Sequence, residues 1–207
     1  MNAKESSPES WHPQGPAEFL GDARRVVSKL GEKIDHQRSQ GRLGSQRWLF
    51  LGPPGIGKTE AALALSRKLV SHPSMVEEVN GQSCTVDLVR RWRESQPYRP
   101  LFGDAVKLID ELDLASPAAQ NELLSYLDRL PSWLHVIATT NRELEALQPR
   151  LQTRFAQFPF SAVATPDIAS LLGRFGLGLE TARAIAAGAA GNVRAALFDA
   201  QAVLDLQ

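Results

Sequence analysis

Apolar residues follow two rhythms along the chain. Short apolar runs of strand length occur at 47–51 (RWLFL), 75–79 (MVEEV), 105–109 (AVKLI), 134–138 (LHVIA) and 155–160 (FAQFPF). Between them the spacing is helical. Val26, Val27, Leu30 and Ile34 share one face from Asp22 to about Arg38, and Ala61, Leu65 and Leu69 do so from Glu60 to Val70. Thr85 reads as the cap of a helix through about Glu94. Ser116-Pro117 opens another helix, carrying Ala119, Leu123, Leu124, Leu127 and Leu130. Strands alternating with helices predict an α/β sandwich, a five-stranded parallel sheet covered on both faces. After about Ser161 the pattern is helical only. Thr165-Pro166-Asp167 starts a helix, Gly176 and Gly178 break it, and two alanine-rich helices follow. The expected organisation is a loose polar lead (1–16), an αβα domain (17–162) and a small all-α domain (163–207).

Composition narrows the class. A chain of 207 residues, 43% hydrophobic and 22% charged, is an ordinary globular protein with room for one sizeable core. There is no apolar run of membrane-spanning length, and the start (MNAKESSPES) lacks the apolar core of a secretory signal. One cysteine, Cys84, excludes an internal disulfide and a cysteine-rich zinc site, so a reducing, cytoplasmic setting is the expectation. Lys+Arg and Asp+Glu balance at 23 each, so any nucleic-acid contact must be a local patch.

The densest chemistry is FLGPPGIGKTEAA, from Phe50 to Ala62. The run Gly52, Pro53, Pro54, Gly55, Ile56, Gly57, Lys58, Thr59, Glu60 follows a strand and opens a helix, with the glycine–lysine–threonine spacing of a phosphate loop. Glycines let backbone N–H groups converge on phosphate oxygens, and the helix directs its positive end at the same anion. Lys58 is the residue to reach the β- and γ-phosphates, and Thr59 to ligate Mg²⁺. A nucleoside triphosphate is the implied ligand. Asp110 and Glu111 end the 105–109 strand, one αβ unit further on. Asp110 suits the metal and Glu111 the attacking water, while Asp113 reads as a solvated turn residue.

The DE pair, with IATTN at 137–141, resembles the AAA+ ATPases, and the resemblance extends over most of the chain. It implies Walker A at Gly52 to Thr59, Walker B at Asp110-Glu111 and sensor 1 at Asn141. WHPQGPAEFLGD (11–22) resembles the segment bordering the adenine, with Pro13, Phe19 and Leu20 at the matching positions. LQPRLQTRFAQF resembles the clamp-loader segment that bears the arginine finger, which implies that Arg154 reaches into a neighbouring subunit's site. A surface salt-bridge residue is the alternative for Arg154, as for Arg150 four positions earlier. GNVRAAL resembles the sensor 2 helix, with Arg194 as its arginine and the helical domain as a lid. Asn80 stands where the family places a polar residue that restrains the catalytic glutamate.

Within the family, IDELDLASPAAQNELLSYLDRLPSWLHVIATTN resembles clamp-loader subunits most. NGQSCTVDLVRRWRE resembles their DNA-facing loop and helix, which makes Arg90, Arg91 and Arg93 DNA-contact candidates; a solvated helix face is the alternative. Trp92 reads as core or as a partner contact, and Arg24, Arg25 and Lys29 as solvated. Clamp loaders carry a helical collar, and the sequence stops at Gln207 after the sensor 2 helix. The expected partners are other AAA+ subunits in a homo- or hetero-oligomer, DNA, and a sliding clamp or a collar-bearing partner. TRF at 153–155 also resembles the Holliday-junction branch-migration motor, so a DNA motor or helicase loader is a rival, as is a nucleotide-gated adaptor.

Overall fold

Five strands build a single sheet: β1 (Arg47–Leu51), β2 (Val76–Asn80), β3 (Ala105–Asp110), β4 (Leu134–Thr140) and β5 (Ala156–Pro159). All pairs are parallel and the order is β2-β3-β4-β1-β5. The structure, a computed structural model, describes residues 7–141 and 147–206. Each strand predicted from the apolar runs is present, with ends displaced by up to two residues. β4 is buried along its whole length, as the centre of a doubly covered sheet demands. β2 and β5 lie at the edges and alternate with exposed positions.

Pairing register decides where chemistry collects. Asn80 lies opposite Asp110, Ile109 opposite Ala138, and Leu51 opposite both Thr140 and Pro159. The carboxyl ends of β1 to β4 therefore finish side by side. In an open parallel sheet, that edge is where ligands bind.

The helices are α1 (Gly21–Ser39), α2 (Lys58–Leu69), α3 (Val86–Ser95), α4 (Pro117–Leu127), the short α5 (Pro149–Gln152), α6 (Thr165–Gly173), α7 (Leu179–Gly188) and α8 (Val193–Leu204). Local chemistry sets their starts. Thr85, Ser116 and Asn192 each accept a backbone N–H from the first turn of α3, α4 and α8 with a side-chain oxygen, and Pro117 holds the first position of α4. α5 has no sequence signature of its own beyond Pro149, being a single turn between a buried Leu147 and a buried Leu151.

Two apolar cores flank the sheet. One joins α3, α4 and α5 to it through Val89, Trp92, Leu123, Tyr126 and Leu151. The other joins α1 and α2 and runs without a break into Ile168, Leu172, Ala186 and Leu197 of α6 to α8. Trp92 is thus core, 3% exposed, with its indole N–H donated to Glu77.

Residues 7–16, expected to be loose, hold defined contacts. Pro8–Ser10 form a 3₁₀ turn against α8, Pro8 is buried, and His12 Nδ1 lies 2.9 Å from Glu60 Oε1. The polar composition concealed that Pro8 and Trp11 carry apolar surface to bury. The remainder of that lead, 1–6, lies outside the described residues, as does Gln207. Among the described residues no helix is long and apolar enough to cross a membrane.

Candidate functional site

Gly57 takes φ 91° as the residue before α2, so the chain turns from β1 into the helix immediately ahead of Lys58. Lys58 is 4% exposed, and its ammonium donates to Gly52 O at 2.8 Å, Pro53 O at 2.6 Å and Asn141 Oδ1 at 2.8 Å. Burial pulls its pKa down from 10.5 to about 8; Asp110 opposes this and Arg194 adds to it. A buried ammonium satisfied only by neutral oxygens is a cation short of an anion, which suits phosphate.

A continuous hydrogen-bonded chain joins the ends of four strands. Thr59 Oγ1 donates to Asp110 Oδ1 at 2.8 Å, and Thr139 Oγ1 donates to the same oxygen at 2.5 Å. Thr139 Oγ1 in turn accepts the Glu111 N–H at 3.0 Å. The Glu111 carboxylate is held from two sides: Asn141 Nδ2 donates to Oε1 at 2.5 Å and Asn80 Nδ2 to Oε2 at 3.2 Å. Asn141 therefore bridges the Lys58 ammonium and the Glu111 carboxylate through one amide. Glu111 sits at φ 55°, a region costly for a residue with a side chain, and its carbonyl lies where a Cβ on Gly81 would come within 2.0 Å. Only glycine at 81 lets Asn80 approach so closely.

Asp113 is not merely solvated, since its Oδ1 accepts the Asn141 N–H at 3.4 Å. A polar cleft of about 70 Å³ is lined by Gly55, Lys58, Thr59, Asp110, Glu111, Asn141 and Arg194, among others. The Thr59 hydroxyl beside the Asp110 carboxylate is a hard-oxygen pair of the kind Mg²⁺ takes, together with phosphate oxygens and water.

Next to it lies a second cleft of about 380 Å³, more apolar, lined by Trp11, His12, Pro13, Phe19, Leu20, Gly55, Ile56, Gly57, Glu60, Val193, Arg194, Leu197 and Phe198. The three residues expected beside a base, Pro13, Phe19 and Leu20, thus line the same cleft as part of the phosphate loop. Arg194 lines both clefts, and its backbone N–H donates to Gly55 O at 3.1 Å. A Cβ on Gly55, at φ 75°, would fall 1.9 Å from Asn192 Oδ1. Asn192, the cap of α8, is therefore the seat of the phosphate loop on the lid, and sequence reasoning passed over it although it adjoins Arg194. Thr139, buried mid-run in IATTN, was passed over as well.

The remaining candidates lie elsewhere. Arg154, in the turn between α5 and β5, is not among the residues lining either cleft. Its Nε donates to Asp128 Oδ1 at 2.6 Å and its Nη2 to Asp128 Oδ2 at 3.4 Å. That hydrogen bonding holds the Asp128 carboxyl below its ordinary pKa. Arg150 is exposed. On α3, Arg93 pairs with Glu122 of α4 at 2.5 Å and Arg90 lies 3.8 Å from the same carboxylate, so that part of the basic cluster is neutralised within the chain; Arg91 is exposed. Arg24 and Arg25 are likewise committed, to Phe19 O and to Asp22.

The strand order, the glycine turn and the acidic pair define a P-loop nucleotide-binding protein with a helical lid. Its family is shown by comparison: the profile of the ATPase family associated with various cellular activities (AAA) matches residues 48–161, and the chain belongs to that family. Replication factor C small subunit of Methanocella arvoryzae is 29% identical over 153 residues, 68% of this chain and 47% of that protein. Replication factor C subunit 3 of Saccharomyces cerevisiae is 31% identical over 166 residues, 76% of this chain and 46% of that one. The chain thus spans about half the length of the curated relatives it matches. Among solved structures, the Thermotoga maritima RuvB Holliday junction branch migration motor superposes with a TM-score of 0.75 at 21% identity, over 94% of this chain and 65% of that one. At that identity the likeness speaks for the fold.

Proposed function

We propose that the chain hydrolyses ATP at a site shared with a neighbouring subunit and uses the cycle to remodel a DNA-bound complex, most like a clamp-loader subunit. The observation that carries the hydrolytic part is the bridge of Asn141 between Lys58 and Glu111, in register with Thr59 and Asp110. The meeting of these side chains at neighbouring strand ends supports placing a γ-phosphate and a water between them.

Gly52 to Glu60 cradle the triphosphate, and Lys58 gains the anion that its burial lacks. Thr59 and Asp110 would hold Mg²⁺, whose charge would offset that of the phosphate oxygens. Glu111 orients the attacking water and accepts its proton, with its carboxylate aimed by Asn141 and restrained by Asn80. Pro13, Phe19 and Leu20 line the base cleft. Arg194 reads the γ-phosphate from the lid, and Arg154 completes a neighbour's site.

The replication factor C relatives support the clamp-loading end of the reading, with DNA met on α3 by exposed Arg91, and by Arg90 and Arg93 in competition with Glu122. Glu111→Gln is expected to keep nucleotide affinity within about two-fold while lowering turnover by on the order of 10² or more. Equal losses in binding and turnover would remove Glu111 from this role. Turnover raised by primed DNA with a sliding clamp supports clamp loading. Turnover raised by junction DNA alone would move the reading to a branch-migration motor.

A further inference from the structure

The guanidinium of Arg154 is gripped side-on. Nε and Nη2 donate to the two oxygens of Asp128, and Nη1 donates to Thr153 Oγ1 at 3.0 Å. Three of its five N–H groups are thereby used, leaving two on the part of the fork away from Asp128. Asp128 is itself fixed as the residue that closes α4, where its N–H reaches the Leu124 and Tyr126 carbonyls. α4 begins six residues after Glu111 and is anchored by buried Leu123, Tyr126 and Leu127. An exposed ion pair of this kind adds little to stability, so holding the two residues together matters chiefly for direction.

From this geometry we infer that Asp128 is a positioning residue for the arginine finger: it fixes the Arg154 guanidinium so that its two unused N–H groups face a neighbouring subunit's nucleotide. The inference rests on the trans-finger reading above. A long flexible arginine loses rotamer freedom when it engages a phosphate; Asp128 takes most of that loss before assembly. The grip requires a planar fork, so lysine at 154 cannot reproduce it. α4 lies between the acidic pair and the finger: it starts six residues after Glu111, which follows β3, and closes on Asp128, the finger's support.

The test is a variant cycle on the full chain, with ATP·Mg²⁺ and a short primed DNA, read as turnover per chain at rising chain concentration. Asp128→Asn should lower kcat roughly ten-fold at concentrations where wild-type turnover has risen, with KM for ATP unchanged. Asp128→Glu should recover part of the loss. In an Arg154→Lys or Arg154→Ala background, Asp128→Asn should have no further effect. Wild-type-like melting of Asp128→Asn keeps folding out of the comparison. If Arg154→Ala lowers turnover but Asp128→Asn does not, or if the two losses multiply, the positioning role is overturned. If turnover per chain ignores concentration and Arg154→Ala is silent, the trans finger falls, and this inference with it.

Discussion

At the residue scale, Lys58 links burial to function most directly. Its pKa in the folded chain, about 8, lies below its ordinary 10.5, so between those values the unfolded chain holds more protons. Stability therefore rises with pH across that window, and below it the fold carries a buried charge at full cost. A triphosphate beside Lys58 reverses the balance and restores the proton. Nucleotide binding at about pH 8.5 should take up a fraction of a proton, and at about pH 6.5 Lys58 should contribute none. Calorimetry in two buffers of different ionisation enthalpy measures this; equal uptake at both pH values would contradict it. Lys58, Thr59, Asp110 and Glu111 were legible because their spacing repeats a motif whose chemistry needs those residue types. Thr139, Asn192 and Asp128 were not. Each acts through a partner far away in sequence, at separations of 29, 137 and 26 residues for the contacts with Asp110, Gly55 and Arg154. Thr139 reads as one more residue of a buried strand, and Asp128 as a solvated residue past a helix end. Asn80 was legible as a candidate, and its side chain reaches the Glu111 carboxylate.

At the element scale, α8 does two things with one residue. Asn192 caps the helix by accepting the Ala195 N–H at 3.0 Å, and its side chain fills the space over Gly55. Asn192→Ala should lose about 1 kcal/mol of capping energy, a fall of roughly 2–4 °C in melting temperature for a domain of this size. It should also weaken nucleotide binding several-fold, because the lid loses its seat on the phosphate loop. A melt and a nucleotide titration check both, and a lower melting point with unchanged affinity would mean that the cap is structural only. Most elements were legible from period: continuous apolar runs for strands buried on both faces, and a stripe for each covering helix. α5 was not, being a single turn placed by Leu147 and Leu151 rather than by any repeat. The 3₁₀ turn at Pro8–Ser10 was not either, because its order comes from docking on α8.

At the scale of the whole molecule, the parallel sheet brings the catalytic candidates to one edge, while Arg154 stands outside both clefts of its own site. On the proposed reading, a finger placed there acts in another subunit, so hydrolysis should depend on assembly. The most direct measurement mixes two disabled chains. Glu111→Gln keeps a working finger and Arg154→Ala keeps a working Walker B glutamate, so each alone should turn over ATP slowly. In a mixed assembly, an interface that pairs the intact glutamate of one chain with the intact finger of the other is complete. The mixture should therefore hydrolyse ATP faster than the sum of the two separate preparations, with the excess greatest near equal proportions. A mixture no faster than that sum, under conditions where the wild-type chain gains turnover on assembly, would contradict a shared site.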